Sequence, residues 1–209
     1  MAHRALVLGS ELLSPYHHLG DEADLSNDTL ATLAMMGDGA GAVVLEAGHP
    51  EAGGIRHIDF AAIGVNREPG VILRKGGALA ACEADDAGGA FSHNFRLILK
   101  HSSDILEYWL RWAERNRVDL DTIRWVIPPQ ATTYALKDAA RRAHVSIEKF
   151  VNLFPSHANT ASAGIYIALD HLNRSGRLRR GDRIHLLPTE ASKWLYGVID
   201  LEWSLGEAA

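Results

Sequence analysis

The sequence comprises 209 residues with a formal net charge of -5, and 47% of the residues are hydrophobic. These proportions are those of a folded globular protein and exclude a disordered or fibrous chain. The acidic balance gives no indication of nucleic-acid binding.

The single cysteine, Cys82, excludes an internal disulfide or a cysteine zinc site and fits a reducing compartment. No apolar run approaches the ~20 residues of a membrane span. The apolar stretch near the N-terminus is too short for a signal peptide, so we predict a cytoplasmic protein that contacts no membrane.

The first part of the chain predicts strands but few helices. Ala5–Gly9 is a short apolar run that ends at a glycine, which indicates a buried strand. The segment 14–36 is irregular, and a run of small residues then leads into a second strand at Val43–Leu45. A third, longer strand follows over Ile55–Val65. Residues 66–90 are rich in glycine and alanine and predict a long loop.

From Asn94 onward the pattern changes to an alternation of helices and strands. Apolar residues recur at helical spacing up to about Arg115. The remaining elements are predicted as a strand at Trp125–Ile127, a helix from Thr132 or Thr133 to Ala143, a strand at Phe150–Phe154, a helix at Thr160–Asn173 and strands at Ile184–Leu187 and Trp194–Trp203. Such alternation predicts a mostly parallel sheet with helices packed on it. The predicted fold class is therefore α/β, with one complete βαβαβαββ half preceded by two strands of an incomplete half.

Five motifs, in order along the chain, resemble those of the β-ketoacyl-acyl-carrier-protein synthase III family. The family has a strand ending in Pro-His-Gln-Ala-Asn, a Gly-Asn-Thr-Ser-Ala-Ala segment, and a closing Gly-Asp and Trp-Gly. The matching segments here are Ala5–Glu11, Gly37–Leu45, Val126–Thr132, Ala158–Ala163, and Gly181-Asp182 with Tyr196-Gly197. Because order and spacing agree over nearly the whole chain, the resemblance is specific.

The resemblance implies the thiolase fold, which consists of two similar α/β halves. Residues 1–48 would be the final two strands of an incomplete first half, and residues 49–209 would be the C-terminal synthase III-like domain. The implied reaction is a decarboxylative Claisen condensation. In it, a cysteine thiolate takes an acyl group from coenzyme A or a carrier protein, and a His and an Asn stabilise the enolate of a malonyl thioester. The implied substrate is an acyl-CoA or acyl-carrier-protein thioester, and no cofactor is implied.

The catalytic residues implied by the family are only partly present. The family's cysteine lies upstream of the segment that matches Ala5, and Cys82 matches no catalytic position. Pro129 stands at the position of the family's His, and proline has no side-chain donor and no backbone N–H. Asn159 matches the family's Asn, although an Asn here would also suit the start of a helix. His157 is close enough to substitute for the absent His, but a His near this place is also a scaffold residue in many family members.

Two further positions depart from the family. Thr132 replaces the Asn of the Pro-His-Gln-Ala-Asn motif. In the last turn the family has a glycine-rich strand end, where one backbone N–H completes an oxyanion hole. Ser192 would carry the matching N–H, and Glu190 and Lys193 would crowd or charge the space around it.

Candidate binding surfaces are few. Arg141 and Arg142 match basic positions with which the family docks acidic carrier proteins, although arginines at a helix end also complement the helix dipole. His17-His18 has no third ligand at a recognisable spacing, so no metal site is predicted. The glycine-rich run Gly37–Gly41 leads into a strand rather than a helix, which is the wrong context for a phosphate-binding loop.

Three functional hypotheses follow. In the first, the chain is the C-terminal-half subunit of a split synthase, and a second chain supplies the N-terminal half and the cysteine. In the second, the chain is a catalytically inactive protein that binds a full-length synthase or a carrier protein. In the third, it is a truncated product without an independent role, against which the intact apolar patterning of its core elements argues. Because its first strands are apolar on both faces, we expect the chain to bind a partner or to self-associate.

Overall fold

The computed structural model describes residues 3–16, 26–48, 52–73 and 91–206. The strands are β1 (Arg4–Glu11), β2 (Gly39–Glu46), β3 (Gly54–Ala62), β4 (Val71–Leu73), β5 (Phe91–His93), β6 (Trp125–Ile127), β7 (Arg183–Leu186), β8 (Thr189–Glu190) and β9 (Leu195–Glu202). The helices are α1 (Asn27–Met35), α2 (Phe95–Lys100), α3 (Asp104–Arg115), α4 (Thr133–Ala143), α5 (Phe154–His157) and α6 (Gly164–Arg174). This order confirms the predicted α/β class.

The main sheet has the strand order β3-β9-β7-β6, with β8 paired to β9. Only β6 and β7 run parallel, and the other pairs are antiparallel. The prediction of a mostly parallel sheet is therefore wrong in detail. The reason is that β9 lies between β3 and β7 and is antiparallel to both. Within this sheet, β6 and β7 follow one another along the chain and are joined by a helical crossover, which is the connection that parallel pairing requires.

Helices cover the main sheet on both faces. One face, with Val126 and Val198, packs against α3 and α4 in a core that includes the fully buried rings of Trp109 and Trp112. The opposite face, with Ile184, packs against α6. Successive residues of a strand point to opposite faces, so each strand contributes to both cores.

A buried polar network anchors α3 to the sheet. Trp109 Nε1 donates to His185 Nδ1 at 2.7 Å, and Arg183 binds Asp200 through two hydrogen bonds of 2.8 and 2.7 Å. Burial lowers the pKa of His185, so the ring is neutral and carries its proton on Nε2, 3.5 Å from Asp200. Burial alone would raise the pKa of Asp200, but the hydrogen bonds from Arg183 and the nearby imidazole of His185 hold that pKa well below the usual range. The carboxylate therefore stays charged and joins β7 to β9.

The β1–β2 pair forms a separate antiparallel sheet that lies on α6. Glycines make this close approach possible. A Cβ at Gly9 would lie 2.5 Å from the carbonyl oxygen of Ser162, and one at Gly41 would lie 2.6 Å from the Cβ of Tyr166. The glycines of the first two motifs thus set the distance between the small sheet and the N-terminal part of α6.

Two apolar sheet faces remain exposed. On the face of β1 and β2 that points away from α6, Leu6 and Leu8 are 64% and 62% exposed. At the edge of the main sheet, Ile58 and Phe60 are 51% and 60% exposed, although their partners on β9 lie on the side that α6 covers. The expected buried environment of the first strand is therefore not provided by the described residues. Faces of this kind mark association surfaces.

Four local predictions were wrong. The segment 66–90, expected to be a long loop, contains β4, and its residues 74–90 lie outside the described residues. The segment 14–36, expected to be irregular, contains α1, whose buried Thr32 lies 3.1 Å from His93 Nδ1 of β5. Burial lowers the pKa of His93 to about 4, so this ring is neutral at pH 7. The Thr32 hydroxyl donates its one proton to the carbonyl oxygen of Asp28 at 2.7 Å, so in this contact the ring N–H donates and the hydroxyl oxygen accepts. The helix expected from Asn94 is interrupted after Lys100 and forms α2 and α3. The strand expected at Phe150–Phe154 is a single bridge from Phe150 to β6, followed by α5.

We predict that Gly9→Ala destabilises the fold by about 1–3 kcal/mol, because the new methyl group must displace the backbone of Ser162. Gly48→Ala is the matched control, since a Cβ there meets nothing within 4 Å and should change stability by less than about 0.5 kcal/mol. Urea unfolding measures both free energies. Equal stability of the two variants would contradict the close-packing account.

Candidate functional site

The segment that carries Asn159 is held from two sides. Its N–H donates to the carbonyl oxygen of Met35 at 2.8 Å, and its own carbonyl accepts from Gly37 N–H at 3.0 Å. Its side-chain Oδ1 accepts from the N–H of Ala161 at 2.9 Å. The side-chain oxygen therefore caps the turn that leads into α6, as one of the two sequence interpretations predicts, and only its amide N–H groups are available to a ligand.

The residue before Asn159 has an unusual backbone conformation. Ala158 has φ 57 and ψ -162, a region that is essentially reserved for glycine. The family has glycine at this position of its motif. Ala158 thus adopts a backbone conformation that suits glycine, although its Cβ makes this conformation strained.

His157 lies at a cleft rather than over the sheet. Together with Ala34, Asp38, Phe154 and Thr160, it lines a cleft of about 610 Å³ between α1, α5 and the start of α6. Its Nδ1 lies 2.8 Å from Ser156 Oγ, and the side chain is exposed. A Cβ at Gly37 would lie 3.1 Å from the carbonyl oxygen of His157, so the backbone here packs closely against the Gly-Asp-Gly motif. The backbone of His157 is therefore closely packed, whereas its imidazole is exposed at the cleft.

The loop after β6 is fixed by a buried amide that the sequence interpretation did not single out. Gln130 donates to the carbonyl oxygens of Pro128 and Val151 at 3.1 and 3.3 Å, and its Oε1 accepts from Leu153 N–H at 2.7 Å. It joins the loop that carries Pro129 to the segment that precedes α5. The hydroxyl of Thr132 accepts from the N–H of Ala135 at 3.3 Å and caps α4.

The carboxyl ends of β6 and β7 meet at one edge of the sheet because the two strands are parallel. Pro129 follows β6, and the turn of residues 190–193 follows β7. In this turn the carboxylate of Glu190 accepts from the backbone N–H groups of Ser192 and of Lys193, the latter at 2.7 Å. The N–H that the family would direct at a substrate oxygen is therefore already hydrogen-bonded to a carboxylate of this chain.

The two arginines at the end of α4 are both exposed and lie near carboxylates. Arg141 forms an ion pair with Asp138 on its own helix. Arg142 lies 3.7 Å from Glu107 of α3, which Arg111 also contacts at 3.6 Å. The positive charge at this end of α4 is thus partly compensated.

Some predicted features lie beyond the part of the chain that the structure describes. These are Cys82 and His17-His18. Within the described ranges, no group of three or more His, Cys, Asp or Glu side chains is placed to hold a metal ion. No helix in those ranges has both the length and the apolar character needed to cross a bilayer.

Comparisons with known proteins agree with this geometry. Residues 1–64 match the sequence family described as "3-Oxoacyl-[acyl-carrier-protein (ACP)] synthase III", and residues 113–191 match its "C terminal" family. The chain belongs to the β-ketoacyl-acyl-carrier-protein synthase III family. A synthase III of Laribacter hongkongensis is 34% identical over 193 residues, which are 88% of this chain and 53% of that protein.

Solved structures confirm the thiolase-like fold of this synthase III family member. The 3-oxoacyl-(acyl carrier protein) synthase III of Pseudomonas aeruginosa superposes with a TM-score of 0.78 at 24% identity, covering 97% of this chain and 59% of that one. The Thermus thermophilus synthase III gives a TM-score of 0.74 at 25% identity, covering 99% and 60%. The chain thus spans little more than half the length of the relatives that it matches.

The structure brings together some of the implied site residues of the synthase III family and rearranges others. Gln130 and Thr160 both lie 3.5 Å from a Cβ built at Gly164, so the loop that carries Pro129 reaches the N-terminal end of α6, beside Asn159. Glu190 was expected to crowd the last turn, but its hydrogen bonds were not foreseen. The roles of Asn159, His157 and Ser192 in catalysis remain predictions.

We predict that Ala158→Gly raises the free energy of unfolding by about 1 kcal/mol, because relief of strain of about 1–3 kcal/mol exceeds the added backbone entropy of glycine. Ala135→Gly, at an exposed position of α4, is the control and should lower the free energy of unfolding by about 1 kcal/mol. Chemical unfolding measures both values. A loss of stability in both variants would contradict the strained conformation of Ala158.

We also predict that Glu190→Ala speeds hydrogen exchange of the Ser192 and Lys193 amides by about tenfold or more, because hydrogen bonds to a charged acceptor contribute about 1.5–3 kcal/mol. NMR or mass spectrometry follows the exchange. Glu148→Ala, which removes a carboxylate elsewhere on the surface, should leave both rates unchanged. Unchanged rates in Glu190→Ala would show that the carboxylate does not bind these amides.

Proposed function

We propose that this chain is the C-terminal-half subunit of a split β-ketoacyl synthase III-like acyltransferase, which acts on acyl-CoA or acyl-carrier-protein thioesters in fatty-acid or polyketide-type biosynthesis. Residues 1–48 then act as the last two strands of the first half, and residues 49–209 as the second domain. The observation that carries the proposal is the combination of a preserved scaffold around Asn159 with two exposed apolar sheet faces.

The exposed faces support the need for further polypeptide. Leu6 and Leu8 form part of an apolar surface on the small sheet, and Ile58 and Phe60 form another beside α6. Burial of such surface stabilises an association by roughly 25 cal/mol per Å². In the proposal, a second chain covers these faces and brings the cysteine nucleophile, and pairing of two copies of this chain is the other arrangement that would cover them.

Within the described residues, the contribution to chemistry consists of a donor and a scaffold. The side-chain N–H groups of Asn159 can donate to an enolate oxygen, because only the oxygen of this amide is used by the turn. Pro129 supplies no second donor, and the N–H of Ser192 is hydrogen-bonded to Glu190. We therefore infer that the isolated chain cannot stabilise the enolate fully.

A second candidate function is that of a catalytically inactive protein that binds a full-length synthase or a carrier protein. The observations that favour it are Pro129 at the position of the family's His and the occupied N–H of Ser192. The two candidates differ in one measurable respect, since only a split enzyme yields product when the partner chain is present.

We predict that the purified chain alone forms no ketoacyl product from acyl and malonyl thioesters, and that the complex recovered from the native host does. In that complex Asn159→Ala should lower the condensation rate by about 10²–10³-fold, as the loss of one oxyanion donor does. Product analysis by mass spectrometry measures the rate, and Asn116→Ala, at the end of α3, is the control.

If the chain alone formed product, and Asn159→Ala abolished it, the proposal that the catalytic site of this chain is incomplete would be contradicted. An inactive complex with an intact partner would favour the second candidate function instead.

Docking of an acidic carrier protein on Arg141 and Arg142 gives a separate prediction. Reversal of both to Glu should weaken carrier binding by about tenfold or more, because each exposed charge contributes roughly 0.2–1 kcal/mol and the reversal adds repulsion. Binding to the unchanged chain should also fall as salt rises. Arg179 and Arg180, both reversed to Glu, form the control pair. Equal affinities of the two double variants, measured by calorimetry, would remove the docking proposal.

A further inference from the structure

A second cleft has its arginines beyond the opposite end of α6 from Asn159. It has a volume of about 630 Å³ and opens beside the residue that precedes β6, Arg124, and beyond the end of α6, at Arg177. Asn159 precedes α6 and Arg177 follows it, so the 11 residues of this helix separate the two residues by about 16 Å. The volume is within the range of about 300–1,000 Å³ that is typical of small-molecule sites.

Two arginines in this cleft share one aromatic ring. The guanidinium carbon of Arg177 lies 4.2 Å from the ring centroid of Trp125, and that of Arg124 lies 4.9 Å from it. The indole itself is only 5% exposed, and its Nε1 donates to the carbonyl oxygen of Arg177 at 3.3 Å. Cation–π contact fixes the two long side chains, so less conformational entropy remains to be lost when they bind a ligand.

The charges of these two arginines are not neutralised within the described residues. Neither guanidinium forms an ion pair or a side-chain hydrogen bond with any residue in that part of the chain, whereas the neighbouring Arg174 is held by Asp170 at 2.7 Å. Each guanidinium carries five N–H donors in one plane, and within the described residues none of them is used in a side-chain hydrogen bond. Those N–H groups match the geometry of phosphate oxygens.

The rest of the lining fits an anion with an apolar part. Lys149 adds a positive charge, and its Nζ is held by the carbonyl oxygens of Leu120 and Asp121 at 3.3 and 2.9 Å. The lining also includes the imidazole of His171, one carboxylate, that of Glu148, and the apolar side chains of Phe150, Val151 and Leu153. Cationic groups therefore outnumber acidic ones around a partly apolar floor.

We propose that this cleft binds a phosphate-bearing small molecule of nucleotide size, with the phosphate bound by the guanidinium groups that line the cleft, those of Arg124 and Arg177. The concave shape and the cavity volume favour a small ligand over the broad surface of an acidic protein. The proposal concerns a different part of the fold from the condensation site and does not depend on the proposed function.

The test is isothermal titration calorimetry of the full chain, with any partner that co-purifies, against ADP, pyrophosphate and adenosine. ADP and pyrophosphate should bind and adenosine should not, and affinity should fall between about 50 and 500 mM salt as charges are screened. Arg124→Gln and Arg177→Gln should each weaken ADP binding at least fivefold. Arg180→Gln, an exposed arginine that does not line the cleft, should leave it unchanged.

Arg177→Lys guards against a merely structural effect, since it keeps the charge but loses the planar group. Its ADP affinity should lie between those of the unchanged chain and Arg177→Gln, with the same thermal midpoint as the unchanged chain. Three results would overturn the proposal: no binding of either phosphate compound, equal binding of adenosine and ADP, or an equal loss in Arg180→Gln.

Discussion

The close approach of the small sheet to α6 is the contact on which the rest of the structure depends. Gly9 and Gly41 allow β1 and β2 to lie against Ser162, just before this helix, and against Tyr166 within it, at distances that no other residue permits. Just before β2, Met35 and Gly37 form the two hydrogen bonds that fix the backbone of Asn159. The glycines of the first two motifs therefore position Asn159, the donor in our proposed function.

The same arrangement explains why the chain shows apolar surface. A helix placed between two sheets covers only part of each, and α6 leaves Phe60 at the edge of the main sheet and Leu8 on the far face of the small one exposed. Near Asn159, Pro129 stands at the position of the family's His, and the carboxylate of Glu190 accepts from the N–H of Ser192.

Much of the fold could be predicted from the sequence, because long periodic segments and ordered motifs identify elements well. Where the pattern was short, it failed: Phe150–Phe154 is apolar, but periodicity cannot separate a strand from a buried turn, and only Phe150 bridges β6. The helix at α1 was missed because its apolar residues do not form a clear stripe. The site could be located by its motifs, yet the bonds of Glu190 and Gln130 depend on side-chain geometry that no spacing reveals.

The most direct test of the account is the state of the chain in solution, because both exposed faces should be covered in the working protein. Sedimentation velocity at micromolar concentration, combined with binding of an apolar dye, measures this state. We expect an oligomer or a heteromer, and aggregation with strong dye binding when the partner is withheld. A stable monomer near 22.8 kDa that binds no dye would contradict the account.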